Sequence, residues 1–289
     1  LEELGLLKMD FLGLRTLTVP KDSVKNIKAS RGIDVDIDHI DFNDKGTLDF
    51  IGTGKTEGVF QLESAGMQSF MKELSPQSFE DIVAGISLYR PGPMDFIPNY
   101  IKGKNNPKEI SYVTPELESI LEPTYGCIVY QEQVMQIVQK LAGYTMGQAD
   151  NIRRAMSKKK QYVIDAERQS FVYADEERCI KGCVANGIDA KAANSIYDSM
   201  VDFAKYAFNK SHAAAYAKIS VQTAWLKNYY PVEFMAALMT SVIDNSAKAA
   251  QYLYSCRDMG IKVLPPDINC GQGEFTAEGD HVRYGMYAI

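Results

Sequence analysis

The sequence predicts a mainly α protein: one large multi-helix unit, a short β stretch at the N-terminus and a small β segment at the C-terminus. Three observations carry this. Most of the chain follows a helical apolar pattern. The periodic stretches are separated by Arg90-Pro91-Gly92-Pro93, Glu122-Pro123, Tyr230-Pro231 and Gly260, all signals that stop helices. Strand-like alternation is confined to the two ends.

Taken in order, Lys8-Met9-Asp10-Phe11 alternates, which suits a strand with Lys8 and Asp10 on one face and Met9 and Phe11 on the other. Pro20 fits the first turn of a helix reaching about Ser30. Residues 34–43 are acidic and loop-like, and 45–51 read as a short helix ending at Gly52. Helices are then expected over 79–88, 94–102, 116–121, 131–142, 147–156 and 162–185. Further ones are expected over 190–203, 213–229, 232–243 and 247–259. After Leu264-Pro265-Pro266 the composition shifts to strand-like pieces near 282–287. There is no internal repeat and no low-complexity tract.

The 289 residues suffice for two ordinary domains or one large one. Hydrophobic residues make up 46% and charged residues 24%, an ordinary globular balance. No apolar run approaches a membrane span, and no stretch reads as a signal peptide. The chain starts at Leu1, so it is expected to be a piece of a longer protein. Five scattered cysteines argue for reduced thiols rather than a disulfide framework. Cys179 and Cys183 are one turn apart on the expected 162–185 helix, but no second Cys or His pair accompanies them, so zinc is not expected.

A net charge of −6 counts against a surface that coats nucleic acid all over. The distribution is more informative. Arg153, Arg154, Lys158, Lys159 and Lys160 fall within eight residues with few carboxylates nearby. Lys205, Lys210, Lys218 and Lys227 recur later with only Asp202 in the neighbourhood. The first cluster reads as a cationic helix end: a solvated face favoured by the dipole, or a phosphate clamp of forked arginines and point-charge lysines.

The densest group of functional side chains is Tyr206-Ala207-Phe208-Asn209-Lys210-Ser211-His212, immediately before strong helix formers. Unpaired N–H groups and the dipole make such a helix start attractive to an anion, and Ser211 reads as its N-cap. Gly52-Thr53-Gly54-Lys55-Thr56 lacks the first glycine of a phosphate-binding loop, that position being Asp49, and follows a helix rather than a strand; it reads as a turn. Gln148-Ala149-Asp150-Asn151-Ile152 is only superficially like a clamp-docking peptide, because it lies inside an expected helix. Asp10 beside Lys8 is a candidate metal carboxylate without a local partner, although two-metal chemistry needs several.

Together, in order, Lys8-Met9-Asp10-Phe11-Leu12-Gly13-Leu14-Arg15-Thr16-Leu17, Gly58-Val59-Phe60-Gln61-Leu62-Glu63-Ser64, Tyr89-Arg90-Pro91-Gly92-Pro93 and Thr124-Tyr125-Gly126 resemble the alpha (catalytic) subunits of bacterial DNA polymerase III, the C-family replicases. So do Val129-Tyr130-Gln131-Glu132-Gln133-Val134-Met135, Arg153-Arg154-Ala155-Met156 with its lysines, Phe208-Asn209-Lys210-Ser211-His212 and Leu264-Pro265-Pro266-Asp267-Ile268-Asn269. The resemblance implies the end of the palm over 1–17, helical fingers over 18–262 and a small β segment over 263–289 that leads toward a helix-hairpin-helix region. It implies template-directed nucleotidyl transfer with Mg²⁺, Asp10 as the third catalytic carboxylate and metal ligand, and Lys8 beside it. Arg153 and Arg154 match the fingers arginines that approach the triphosphate of the incoming dNTP, and Asn209, Ser211 and His212 match the loop closing the other side of that pocket. Implied partners are primer–template DNA, and the sliding clamp and other replisome subunits through segments not in this chain; the implied location is the bacterial cytoplasm, at the nucleoid-associated replication fork, with no membrane role. Ala207 stands where the family often has glycine, and Pro20 interrupts a usually unbroken apolar helix start. The alternative from the residues alone is a non-catalytic helical DNA-binding module, with cations on phosphates and aromatic rings on bases.

With one of three carboxylates, the 289-residue chain by itself is expected not to polymerise. Primer extension by the purified chain, freed of contaminating polymerase, checks this.

Overall fold

In the computed structural model, residues 4–9, 13–158, 161–204 and 206–289 are described. They form fourteen α-helices and three short strands. The helices up to the middle of the chain are α1 (Thr18–Arg31), α2 (Lys45–Gly52), α3 (Ala65–Leu74), α4 (Phe79–Leu88), α5 (Ile97–Asn105), α6 (Glu118–Leu121), α7 (Gln131–Ala142) and α8 (Met146–Ser157). The rest are α9 (Gln161–Val172), α10 (Gly182–Ala185), α11 (Ala190–Ala204), α12 (Lys210–Tyr229), α13 (Pro231–Ser241) and α14 (Ser246–Asp258). Strands β1 (Lys262–Leu264), β2 (Thr276–Glu278) and β3 (His281–Arg283) make one sheet in the order β1-β3-β2. β1 runs parallel to β3, with Val263 opposite Val282, and β2 runs antiparallel to it. The mainly α class with short β segments is therefore as expected. Lys8 and Met9 carry no strand, and the rest of that expected N-terminal strand lies outside the described residues.

The chain divides into two compact units: residues up to Gln68 with Ile219–Ile289, and Ser69–Lys218. In the first, α1 lies along α13, and Val19 and Ile27 meet Phe234, Met235 and Leu238 in a core shared with Tyr252 and Cys256 of α14 and with Phe275 and Val282. The fully buried carboxylate of Glu233 accepts from Ser30 Oγ at 2.8 Å and from both ends of the Arg31 fork at 2.6 and 3.1 Å. Lys227, which the sequence offers as a surface cation, is buried: its Nζ donates to the carbonyls of Lys55 and Glu57 at 2.9 and 2.7 Å, and burial lowers its pKa. It pins the Gly52-Thr53-Gly54-Lys55-Thr56 turn, which follows α2 as expected.

In the second unit, α7, α8, α9 and α11 pack around Val134, Ile137, Val138, Ile152, Met156, Phe171, Tyr197 and Met200, all buried. The stretch expected as one helix over 162–185 is broken. α9 stops at Val172, and a hairpin in which Asp175 and Ile180 exchange two backbone hydrogen bonds turns the chain into α10. A polar clip forces the break. Arg178 donates to Asp175 Oδ2 at 2.7 Å and to Glu167 Oε2 at 3.0 Å, while its own N–H reaches Asp175 Oδ1 at 3.1 Å. Cys179 takes φ +57° and Gly182 φ +75°, and a Cβ on Gly182 would strike the Tyr173 carbonyl. Cys179 and Cys183 consequently do not share a helix face. The 94–102 and 116–121 helices begin instead as 3₁₀ turns at Pro93 and Pro115, and α3 is a helix that the sequence reading did not foresee.

One charged pair in this unit is almost dry. Lys104 of α5 meets Asp81 of α4 at 2.9 Å with side chains 6% and 2% exposed, and its Nζ also donates to the Leu74 and Ser75 carbonyls at 2.8 Å each. Removing one partner of such a pair leaves the other charge buried without compensation. Lys104→Met should therefore lower unfolding free energy by about 3–5 kcal/mol, and Asp81→Asn in the same background should recover part of it; urea denaturation checks both.

Candidate functional site

The site grows from a backbone seam in the second unit. Phe208 pairs with Tyr130 as a parallel bridge: the Phe208 N–H donates to the Val129 carbonyl at 3.2 Å, and the Gln131 N–H donates to the Phe208 carbonyl at 2.9 Å. The seam sets the first residue of α7 beside the first residue of α12. Buried Gln133 holds the α7 side in place: its Oε1 accepts from the N–H groups of Val129 and Tyr130 at 2.8 and 2.9 Å, and its Nε2 donates to Thr124 Oγ1 at 2.7 Å.

On the α12 side the cap is Asn209, not Ser211. Asn209 Oδ1 accepts from the His212 N–H at 2.8 Å, and Asn209 Nδ2 donates to Glu132 Oε1 at 3.2 Å. Both Glu132 oxygens accept from the Lys210 N–H at 3.1 Å. Because these acceptors satisfy the N–H groups of Lys210 and His212, the helix starts at Lys210 and takes Ser211 into its first turn. A carboxylate between two helix N-termini also offsets their like positive ends.

An open cavity of about 380 Å³ lies over this seam, lined by Arg90, Pro91, Pro93, Gln131, Tyr206, Ala207, Phe208, Asn209 and His212. The Arg90 guanidinium sits over the Phe208 ring at 4.7 Å, Phe208 is 5.5 Å from the His212 ring, and His212 is 4.3 Å from the Tyr216 ring. Gly92 has φ +101°, and a Cβ there would come within 2.5 Å of the Tyr206 ring, so only glycine lets the Pro91-Gly92-Pro93 turn close against that wall. Lys210 Nζ points to Glu80 Oε2 at 2.9 Å and lies 5.3 Å from the Tyr130 ring centre.

Of the two arginines on α8, Arg153 reaches this neighbourhood through Gln131. Asp150 Oδ1 accepts from Arg153 Nε at 3.0 Å and Nη2 at 2.6 Å, and Asp150 Oδ2 meets Arg154 Nε at 2.7 Å. Arg153 Nη1 donates to Gln131 Oε1 at 3.0 Å, while Gln131 Nε2 donates to the Ala207 carbonyl at 3.0 Å. The structure thus ties Arg153 to the loop that carries Asn209 and His212, and leaves Arg154 more exposed, 63% against 22%. The cationic stretch is not poor in carboxylates as its sequence suggests, since Asp150 serves both arginines across one turn of helix, a spacing that the sequence contains. Lys159, Lys160 and Lys205 lie outside the described residues, as does Asp10; Lys8 is exposed and belongs to the first unit. Arg90, Gln131, Glu132 and Asp150 belong to the site; in the sequence the first three stand only as members of longer motifs, not as site residues, and Asp150 alone has a spacing signal.

A model of the bacterial DNA polymerase III alpha subunit finger domain matches residues 16–179, more than half of the chain. The chain belongs to this family. The DNA polymerase III subunit alpha of Bacillus subtilis strain 168 is 48% identical over 289 residues, covering all of this chain and 25% of its own length. Those of Mycobacterium tuberculosis H37Rv and Pasteurella multocida Pm70 are each 47% identical, over 294 and 300 residues, with 24% and 25% of their own lengths covered. The chain spans about a quarter of the length of these relatives. The alanine at position 207 sits without backbone strain: it is buried and is not among the described residues with positive φ. Pro20 sits in the first turn of α1, where a missing N–H costs little.

Asp150's carboxyl is held below the usual carboxylate value, first by the hydrogen bonds from Arg153. A depressed pKa means that the clip is complete above the unfolded-state value and is lost only as pH falls through the lowered one. The Asp150 carboxyl should therefore titrate by NMR with a midpoint below about 3.9, and Arg153→Ala should move that midpoint up. A midpoint at the ordinary value in the parent would show that the clip does not hold in solution.

Proposed function

We propose that this chain is the section of a bacterial DNA polymerase III alpha subunit that binds the incoming dNTP, with residues 1–17 ending the palm, 18–262 forming the fingers and 263–289 leading onward. The observation that carries the reading is the open cavity lined by Arg90, Gln131, Asn209 and His212, to which the Arg153–Gln131–Ala207 connection joins a second guanidinium. A triphosphate is the anion such a set suits: forked guanidinium donors match its oxygens, and cations that are already in place need little reorganisation as charge builds on the leaving pyrophosphate. Asp150 now occupies the donors of Arg153 and Arg154. A bound triphosphate would compete with it, so the carboxylate keeps the arginines extended and oriented between turnovers. Phe208, His212 and Tyr216 form an aromatic flank suited to the sugar or base.

Among the described residues no group of three His, Cys, Asp or Glu side chains could hold a metal ion. Asp10 is the residue we propose as a magnesium ligand, together with carboxylates of the remaining polymerase, and Lys8 as a neighbouring charge. Magnesium would supply Lewis-acid activation of the primer 3′-hydroxyl and the leaving group when bound; this chain's part is to bind and orient the nucleotide. Primer–template DNA is the proposed partner, with the sliding clamp and replisome reached through other segments, in the bacterial cytoplasm at the replication fork. No helix among the described residues is long and apolar enough to cross a membrane.

In the full-length polymerase, Arg154→Ala should cost about 2–4 kcal/mol of transition-state binding, a loss of roughly 30- to 1000-fold in kcat/KM for the correct dNTP. Unchanged incorporation, with salt-sensitive DNA binding reduced instead, would favour a DNA-positioning module over nucleotide binding.

A further inference from the structure

We propose that Gln131 is the positioning residue for Arg153, locking that arginine to the Ala207–Phe208 loop so that α8 and the cavity-lining loop move as one. The proposal rests on the nucleotide-binding reading above and adds the residue that makes it mechanical.

Its two side-chain partners leave no choice of orientation. A guanidinium can only donate, so the atom facing Arg153 Nη1 at 3.0 Å is the amide oxygen. A carbonyl can only accept, so the atom facing the Ala207 oxygen at 3.0 Å is the amide nitrogen. Glutamate has the same reach and lacks the donor; methionine has a similar volume and holds neither partner. The backbone of Gln131 is fixed independently, by its N–H on the Phe208 carbonyl at 2.9 Å and by its place as the first residue of α7. Gln131 is therefore bonded to the loop twice, by main chain and side chain, and to α8 once.

The arginine is held from two sides. Asp150 Oδ1 takes Nε and Nη2, and Gln131 takes Nη1. Asp150 sits on the same helix as Arg153 and fixes the guanidinium only relative to α8. Gln131 alone among these partners refers it to the loop bearing Asn209 and His212. A shift of that loop on nucleotide binding is thus passed through Gln131 to the guanidinium on α8.

The test is single-nucleotide incorporation by the full-length parent polymerase over a range of correct dNTP concentrations, giving the maximal rate and apparent Kd. Gln131→Met should lower the ratio of rate to Kd about tenfold, the scale of one or two net hydrogen bonds, mainly through Kd. Gln131→Glu should lose at least as much, because it drops the bond to Ala207 and places a second carboxylate on Arg153. In an Arg153→Ala background, Gln131→Met should have little further effect, since residues acting through one contact are not additive. Equal penalties with and without Arg153, or no penalty from Gln131→Met, would overturn the proposal. Unchanged melting temperature and primer–template affinity of the Gln131 variants separate positioning from folding. If Arg153→Ala alone leaves incorporation intact, the nucleotide reading itself fails, an outcome distinct from a silent Gln131→Met with a sensitive Arg153→Ala.

Discussion

The pairing of Tyr130 with Phe208 is the contact on which the candidate site depends. Two backbone hydrogen bonds bring together segments far apart in the chain and set the N-termini of α7 and α12 side by side. Aligned peptide dipoles make each of these ends partly positive. Glu132 relieves the repulsion by accepting from the Lys210 N–H and the Asn209 amide. Asn209 and His212 take their positions from this arrangement, while Tyr206 and Ala207 are held by the Phe203 carbonyl.

Charge compensation explains how an acidic chain builds a basic site. Arg153 and Arg154 share Asp150, and Lys210 faces Glu80. Each cation is kept extended by a resident carboxylate, so its charged group is held in one place. These exposed and half-exposed pairs contribute little to stability. Their role is geometric, and the net charge of the chain says little about where its cations gather.

Beneath the site, polar side chains do structural work in dry places. Gln133 satisfies two N–H groups ahead of α7, Lys104 and Asp81 tie α5 to α4, and Lys227 and Glu233 perform comparable tasks in the other unit. A buried polar group left without its partner is costly, so such contacts specify loop conformations that apolar packing alone would leave open.

Most helices were legible because one face of each is buried and periodicity records that face: α4 and α7 fall on the expected residues, 79–88 and 131–142. The break after α9 was not, because a salt-bridged hairpin makes it without proline. The cations of the site were legible as charges, and the Asp150 pairing could have been read from its spacing. Their other partners could not. Whether Lys227 faces solvent or two carbonyls, whether Ser211 or Asn209 caps α12, and whether Gln131 touches anything at all are set by approaches of about 3 Å between residues as many as 172 positions apart. The sequence by itself determined most of the helices, the cationic groups and the family; the tertiary structure decided which of those groups meet, because hydrogen bonds are short and directional while sequence patterns record only which face is buried.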